Sequence, residues 1–180
     1  VIIGLSGYAQ SGKDEVANIL VKEYAFERIA FADAIRDLLG KMNLALEDGM
    51  PLEMLVRTHD WEYIKKNYPS TRTYLQQLGV GAREVLGDDV WVIAALRKLD
   101  DFKTNYVITD VRFENEATMI RQMNGKIWRI RRDDVGPIND HISETALDDY
   151  KFDQILKNEG SLEDLQKRVH ERMKLVLYVN

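Results

Sequence analysis

Gly7-Tyr8-Ala9-Gln10-Ser11-Gly12-Lys13-Asp14 follows the apolar run 1–5 and opens a helical pattern from Glu15. It fits G-x-x-x-x-G-K, with Asp14 where the general motif has Ser or Thr, and reads as a phosphate-binding loop. Gly7 and Gly12 let the backbone turn its N–H groups inward where a Cβ would clash, making a nest for phosphate oxygens. The helix expected from Lys13 to about Tyr24 aims its positive dipole end at the same anion, and Lys13 adds a full charge. The bland alternative is a glycine-containing strand-to-helix turn with a solvated lysine. Asp14 admits two compatible readings. Its carboxylate holds magnesium through a water, or it sits in the first helical turn because negative charge suits the dipole.

The chain has 180 residues, 45% of them hydrophobic, which is enough to bury a sizeable core without demanding a second domain. A net charge of −5 argues against a general nucleic-acid binder, so any phosphate site must be a local basic focus. With no cysteine, disulfides and thiol catalysis are excluded and a structural zinc site is disfavoured. No apolar stretch approaches the ~18 residues expected of a membrane span, and a soluble intracellular protein is expected.

Outward from the loop, strand and helix signals alternate. Residues 26–31 suggest a second strand running into Asp33, which either caps the next helix or, with Arg36, stands at the ligand-binding edge of a parallel sheet. Residues 47–68 read as an inserted helical segment. A helix-start signal at 69–71 then leads an apolar stripe interrupted by Gly79, Gly81 and Gly87. Arg72, Gln76 and Arg83 ride on that stripe. Arginine suits phosphate and glutamine a base edge, although a solvated helix face is the commoner reason for either. Asp88 is expected to cap an apolar helix over 90–96.

Residues 106–109 form a continuous β-rich run, the signature of a strand buried on both faces, and its end carries Asp110, Arg112 and Glu116. An acid at such a tip suits hydrated magnesium. Arg112 suits phosphate charge, and Glu116 either holds an arginine or begins the next helix. A fourth strand over 126–132 ends in Arg131 and Arg132. The loop 133–139 and the following His141-Ile142-Ser143-Glu144 read as a lid or as ordinary surface. A fifth strand over 152–157 ends at Asn158, and Ser161 with Asp164 resembles a capping box for a long terminal helix.

At this point the sequence resembles the bacteriophage deoxynucleoside monophosphate kinases, within the nucleoside monophosphate kinase group of P-loop kinases. The carriers are GYAQSGKD, FADAIRDLL, TRTYLQQLGVGAR, VITDVRFENEA, HISE and FDQILKNEGSLEDL, which together span nearly the whole chain. Those kinases carry an aspartate after the loop lysine, so Asp14 becomes a family-like feature. The resemblance implies a three-layer α/β/α fold with a five-stranded parallel sheet. It implies one domain over 1–180, with a helical acceptor-binding insertion at about 47–87 and a lid-like segment at about 132–146. It further implies transfer of the γ-phosphoryl of ATP, with Mg²⁺, to a deoxynucleoside 5′-monophosphate.

On that resemblance, ATP is held by Gly7, Tyr8, Ala9, Gln10, Ser11, Gly12, Lys13 and Asp14, with Asn158 bordering the adenine. Magnesium falls to Asp14 and Asp110. Charge in transfer is stabilised by Lys13, Arg112, Arg131 and Arg132. The acceptor is faced by Asp33, Arg36, Arg72, Gln76 and Arg83, and the substrate set extends to Asp110, Glu116, His141 and Glu144. No nucleic-acid polymer or membrane is expected as a partner. A homodimer stays open, and the location implied is the cytoplasm of an infected host cell. The alternatives are a dephospho-coenzyme A kinase or another small-molecule P-loop kinase, and a nucleotide-dependent switch without transferase activity.

Overall fold

The computed structural model describes residues 1–42, 44–99, 104–138 and 140–178. Five strands, β1 (Ile2–Ser6), β2 (Phe26–Ile29), β3 (Asn105–Ile108), β4 (Lys126–Arg131) and β5 (Gln154–Lys157), form one all-parallel sheet in the order β2-β3-β1-β4-β5. The strand that precedes the loop is therefore central. Its neighbours are β3 and β4, so the tips of these two strands flank the loop.

Strand alternation sorts the core into two faces. Ile3, Leu5, Val107, Trp128, Ile130 and Leu156 point to one side. There they pack with Val16, Ala17, Ile19 and Leu20 of α1 (Lys13–Tyr24) and Leu165, Val169 and Met173 of α9 (Leu162–Tyr178). On the other side, a Cβ built on Gly4 would lie 2.6 Å from the Ile120 side chain of α7 (Glu114–Gln122). The bare glycine lets that helix settle directly on the central strand. The three-layer α/β/α arrangement follows. Ser161 and Asp164 cap α9 reciprocally: the Ser161 N–H donates to Asp164 Oδ2 (2.9 Å) and the Asp164 N–H to Ser161 Oγ (3.2 Å). The Ser161 N–H and the Ser161 hydroxyl (3.0 Å), both donating to that carboxylate oxygen, hold the Asp164 carboxyl below its usual range.

The chain clusters into two compact units, Val1–Ala30 with Lys98–Asn180, and Phe31–Arg97. The second is all-helical: α2 (Phe31–Lys41), α3 (Leu52–Thr58), α4 (Trp61–Asn67), α5 (Ser70–Leu86) and α6 (Val90–Leu96). Leu39, Leu46, Leu52, Leu55 and Ile64 form its core, with Tyr74, Leu75 and Leu78 against it. The insertion expected at about 47–87 falls inside this unit, whose limits are wider because α2 and α6 pack with α5.

Apart from shifts of one or two residues at the ends of β3, β4 and β5, local expectations differ from the structure at four places. The second strand stops at Ile29, whose carbonyl accepts the Thr109 N–H (3.0 Å), and Phe31 already begins α2. Asp33 consequently lies within the first turn of α2 instead of capping it, a position where its charge still suits the dipole. Gly79 and Gly81 do not interrupt α5. A Cβ on Gly79 would lie 3.4 Å from Ile35, and the Trp91 indole N–H donates to the Gly79 carbonyl (2.9 Å), so packing offsets the ~1 kcal/mol a helical glycine costs. Asp89, not Asp88, occupies the N-cap position of α6. Asn139, the end of the expected loop 133–139, lies outside the described residues. No described helix is long and apolar enough to cross a membrane.

Leu20 is fully buried between α1 and the sheet, whereas Val21 beside it is 37% exposed. Leu20→Ala should lower the unfolding free energy by roughly 2–5 kcal/mol, and Val21→Ala should change it by less than about 0.5 kcal/mol, both read from urea midpoints.

Candidate active site

The loop between β1 and α1 is held open by steric necessity. Gly7 has φ +147° and Gly12 φ +99°. A Cβ on Gly7 would strike the carbonyl oxygen of Ile130 in β4, and one on Gly12 would strike the side-chain amide of Asn158. Gln10 also takes a left-handed conformation (φ +63°), and the Ser11 N–H closes the turn on the Tyr8 carbonyl (3.2 Å). No side chain caps α1 at Gly12, so the helix presents its N-terminal backbone at the loop. The Ser11 hydroxyl is buried without a hydrogen-bond partner among the described residues, an uncompensated polar atom inside the same cradle.

Lys13 curls over this backbone, its Nζ donating to the carbonyls of Gly7 (2.7 Å) and Tyr8 (2.6 Å). Burial lowers its pKa to about 8; the charges of Arg112 and Arg129 push it the same way, while Asp14 and Glu144 oppose them.

β3 positions the second wall. Beyond its end the Val111 N–H bonds the Leu5 carbonyl of β1 (3.0 Å), which fixes the half-buried Asp110 next to the loop strand. Glu116, 2% exposed in the first turn of α7, turns back and accepts the backbone N–H groups of Arg112 (2.7 Å) and Phe113 (3.1 Å). The Arg112 guanidinium donates to Glu144 Oε1 (2.7 Å) and Ser143 Oγ (3.2 Å). His141 caps α8 (Ile142–Thr145), its Nδ1 accepting the Ser143 N–H (3.2 Å). The segment HISE thus acts as a bracket: His141 sets Ser143, and Ser143 and Glu144 hold Arg112.

β4 and β5 supply the third wall. Arg131 pairs with Asp133 (3.1 Å) and Arg132 with Asp134 (2.8 Å), both largely exposed, so each arginine of the expected basic tip has its own acid two residues on. Asn158 donates through Nδ2 to the Ser11 carbonyl (2.9 Å), and its N–H bonds the Arg131 carbonyl (2.7 Å). It ties β5 to the loop. A cleft of about 490 Å³ opens beside the loop, its lining including Tyr8, Ser11, Arg129, Arg131 and Arg132.

Arg129 is the residue that sequence reading passed over. It lies in mid-strand on the face of Ile127 and Arg131, donating to Ser6 Oγ (3.3 Å) and Asp148 Oδ1 (2.9 Å), with its guanidinium 4.7 Å above the Tyr8 ring. The available signal was a lone charge inside the otherwise apolar stretch Ile127-Trp128-Arg129-Ile130.

The structure thus brings the loop, Asp110, Arg112, Glu116, Arg131, Arg132, His141, Glu144 and Asn158 onto the unit built around the sheet. Asp33, Arg36, Arg72, Gln76 and Arg83 belong to the helical unit. There Arg36 donates to Asp33 (3.1 Å) and Arg83 to the Asp88 carbonyl (2.7 Å). Arg72, Gln76 and Arg83, spaced by four and seven, share one face of α5. Among the described residues no group of three or more His, Cys, Asp or Glu side chains converges as a metal site. Magnesium in phosphate sites takes only one or two carboxylates, the rest coming from phosphate and water.

Because Lys13 titrates near pH 8 alone, a bound polyphosphate must raise its pKa and take up a proton. Nucleoside triphosphate affinity, measured calorimetrically in EDTA, should be nearly flat between about pH 7 and 7.5, where the terminal phosphate is largely ionised and Lys13 is largely protonated. Above pH 8 it should weaken by up to tenfold per pH unit. A flat profile to pH 9.5 would uncouple Lys13 from the anion.

Against this geometry, the deoxynucleotide monophosphate kinase family model matches residues 54–169. A protein of Acanthamoeba polyphaga mimivirus, provisionally named a deoxynucleotide monophosphate kinase, is 27% identical over 192 residues, covering 94% of each chain. The deoxynucleotide monophosphate kinase of Escherichia phage RB69 is 30% identical over 107 residues, covering 57% of this chain and 44% of its own. Among solved structures, shikimate kinase from Aquifex aeolicus aligns over 100% of both chains with a TM-score of 0.52 at 14% identity, a likeness of fold alone. The chain belongs to the deoxynucleotide monophosphate kinase family and is a phosphotransferase with the α/β fold of the P-loop kinases.

Proposed function

We propose that the protein transfers the γ-phosphoryl of ATP to deoxynucleoside 5′-monophosphates by direct in-line displacement, giving the diphosphate and ADP. The observation that carries this reading is the convergence on one glycine loop of Lys13, Arg112 and Arg129, cations whose mutual repulsion a polyphosphate would relieve. The loop amides from Gly7 to Asp14 and the buried Ser11 hydroxyl receive donor phosphates. Lys13 and Arg112, with Arg131 and Arg132 from the neighbouring strand tip, neutralise charge on the transferring group. Asn158 supports the loop at the adenine end.

Asp14 and Asp110 are the carboxylates suited to magnesium, which when bound would neutralise phosphate charge and orient the donor. Acceptor recognition is assigned to Asp33, Arg36 and the Arg72, Gln76 and Arg83 face of the helical unit. Within the sheet unit it is assigned to Asp110, Glu116, His141 and Glu144, with 132–146 as the covering segment. The reaction needs no covalent nucleophile, because positioning and charge neutralisation supply most of the acceleration. The whole of 1–180 serves as one kinase domain in the cytoplasm of an infected cell.

Incubation with ATP, Mg²⁺ and a panel of deoxynucleoside monophosphates plus dephospho-coenzyme A should yield deoxynucleoside diphosphates. Their absence with every base would overturn the proposal. Lys13→Met should lower turnover by at least about 10²-fold. It should leave the thermal midpoint unchanged or raised, since a buried lysine with a depressed pKa opposes folding below pH 8. Full turnover in that variant would remove the loop from catalysis. Arg131→Ala, at an exposed position, should reduce turnover without moving the midpoint.

A further inference from the structure

Arg129 makes an unusual set of contacts for a strand residue. It is only 14% exposed, and its backbone faces Ser6, the last residue of β1, in the sheet register. The two ends of its guanidinium fork donate to different partners, Ser6 Oγ at 3.3 Å and Asp148 Oδ1 at 2.9 Å. The second oxygen of Asp148 accepts the Tyr8 hydroxyl at 2.8 Å, and the Tyr8 ring lies 4.7 Å beneath the guanidinium carbon. Arg129, Asp148 and Tyr8 therefore close a three-membered ring of contacts, and the Phe152 ring also lies within 5.5 Å of the cation. Burial and the Asp148 hydrogen bond hold the Tyr8 phenol above its ordinary range, so it remains a donor throughout the working pH range.

Tyr8 is a loop residue whose carbonyl receives both Lys13 Nζ (2.6 Å) and the Ser11 N–H (3.2 Å). Whatever fixes Tyr8 thus fixes the lysine and the turn together. Ser6 immediately precedes Gly7, the positive-φ residue at which the loop leaves β1, and the same guanidinium grips it. A second feature points the same way. The two arginines that bear on Lys13, Arg112 and Arg129, are each neutralised by an acid from one short stretch, Glu144 and Asp148.

We propose that Arg129, braced by Asp148 and stacked on Tyr8, is a positioning residue that sets the entrance of the phosphate loop and, through the Tyr8 carbonyl, the place of the Lys13 ammonium. Lysine cannot replace it: a point charge has neither the fork that spans Ser6 and Asp148 nor the flat face that stacks on a phenol ring. The inference deepens the phosphoryl-transfer reading and rests on it.

Turnover, acceptor KM, ATP affinity by calorimetry and thermal midpoint should be measured for Arg129→Lys, Asp148→Asn, Tyr8→Phe and the double variant Tyr8→Phe/Asp148→Asn. Arg129→Lys and Asp148→Asn should each lower kcat about 10- to 100-fold and weaken ATP about tenfold, with acceptor KM within about twofold of wild type. The double variant should lose less than the product of the two single losses, because both changes weaken the same Tyr8–Asp148 contact. Full activity in Arg129→Lys would show that charge alone matters and overturn the proposal. So would an Asp148→Asn enzyme more active than wild type, which would mark Asp148 as a competitor for a phosphate-binding arginine. Losses that follow the midpoint and vanish on cooling would reduce the ring to a stability element, again overturning it. Should Arg129→Lys fail to fold, Tyr8→Phe, which keeps the ring packing, decides through the same split. A wild-type protein inactive on every monophosphate would fail the kinase reading, while the ATP affinities would still test the brace.

Discussion

The site depends on one close approach. At Gly7 the carbonyl of Ile130 occupies the space where any other residue would carry its Cβ, and at Gly12 the Asn158 amide does the same. The loop therefore lies hard against β4 at its start and against the tip of β5 at its end, both strands being on the same side of β1. That proximity lets a strand side chain reach loop atoms at all. Arg129 can grip Ser6 and cover Tyr8 because β4 is the immediate parallel neighbour of β1, and Asn158 can bond Ser11 because β5 follows β4 in the sheet. Parallel order, with β1 central, converts residues more than a hundred positions apart into the walls of one cradle.

The electrostatics answer how a chain of net charge −5 builds an anion site. The cations are not left bare. Arg112 faces Glu144, Arg129 faces Asp148, Arg131 faces Asp133 and Arg132 faces Asp134. Local pairing keeps the basic focus compatible with an acidic surface and fixes arginine geometry before a ligand arrives. Lys13 differs, because its donors rest on uncharged carbonyls and burial lowers its proton affinity. Of the cations around the loop it would gain most from a bound phosphate, since an anion would replace neutral oxygens.

Much of this was legible in the sequence where one physical demand leaves one residue type. The positive-φ glycines, the apolar runs of β1 and β3 and the reciprocal Ser161–Asp164 cap each match what their motif requires. Legibility failed where tertiary packing outvoted local preference. Gly79 reads as a break, yet the helix continues because Ile35 and Trp91 close on it. Arg131 and Arg132 stand out by adjacency, whereas Arg129, which donates to Ser6 and lies over Tyr8, is hidden among apolar neighbours. Its partner Asp148 is nineteen positions away, and no spacing rule links them.

The loop's final residue, Asp14, gains a role from this geometry that a hydroxyl could not fill. Two arginines and burial push the Lys13 ammonium toward losing its proton, and among the described residues the carboxylates of Asp14 and Glu144 push back. Glu144 is already engaged by Arg112. A serine or threonine at position 14 would leave Lys13 with that single shared carboxylate and move its pKa below about 8, toward the pH at which a phosphate-binding lysine would lose its charge. The aspartate is thus coupled to the arginine-rich walls. A loop lysine flanked by two guanidinium groups stays protonated near neutrality when a carboxylate stands next to it in the first turn of the helix.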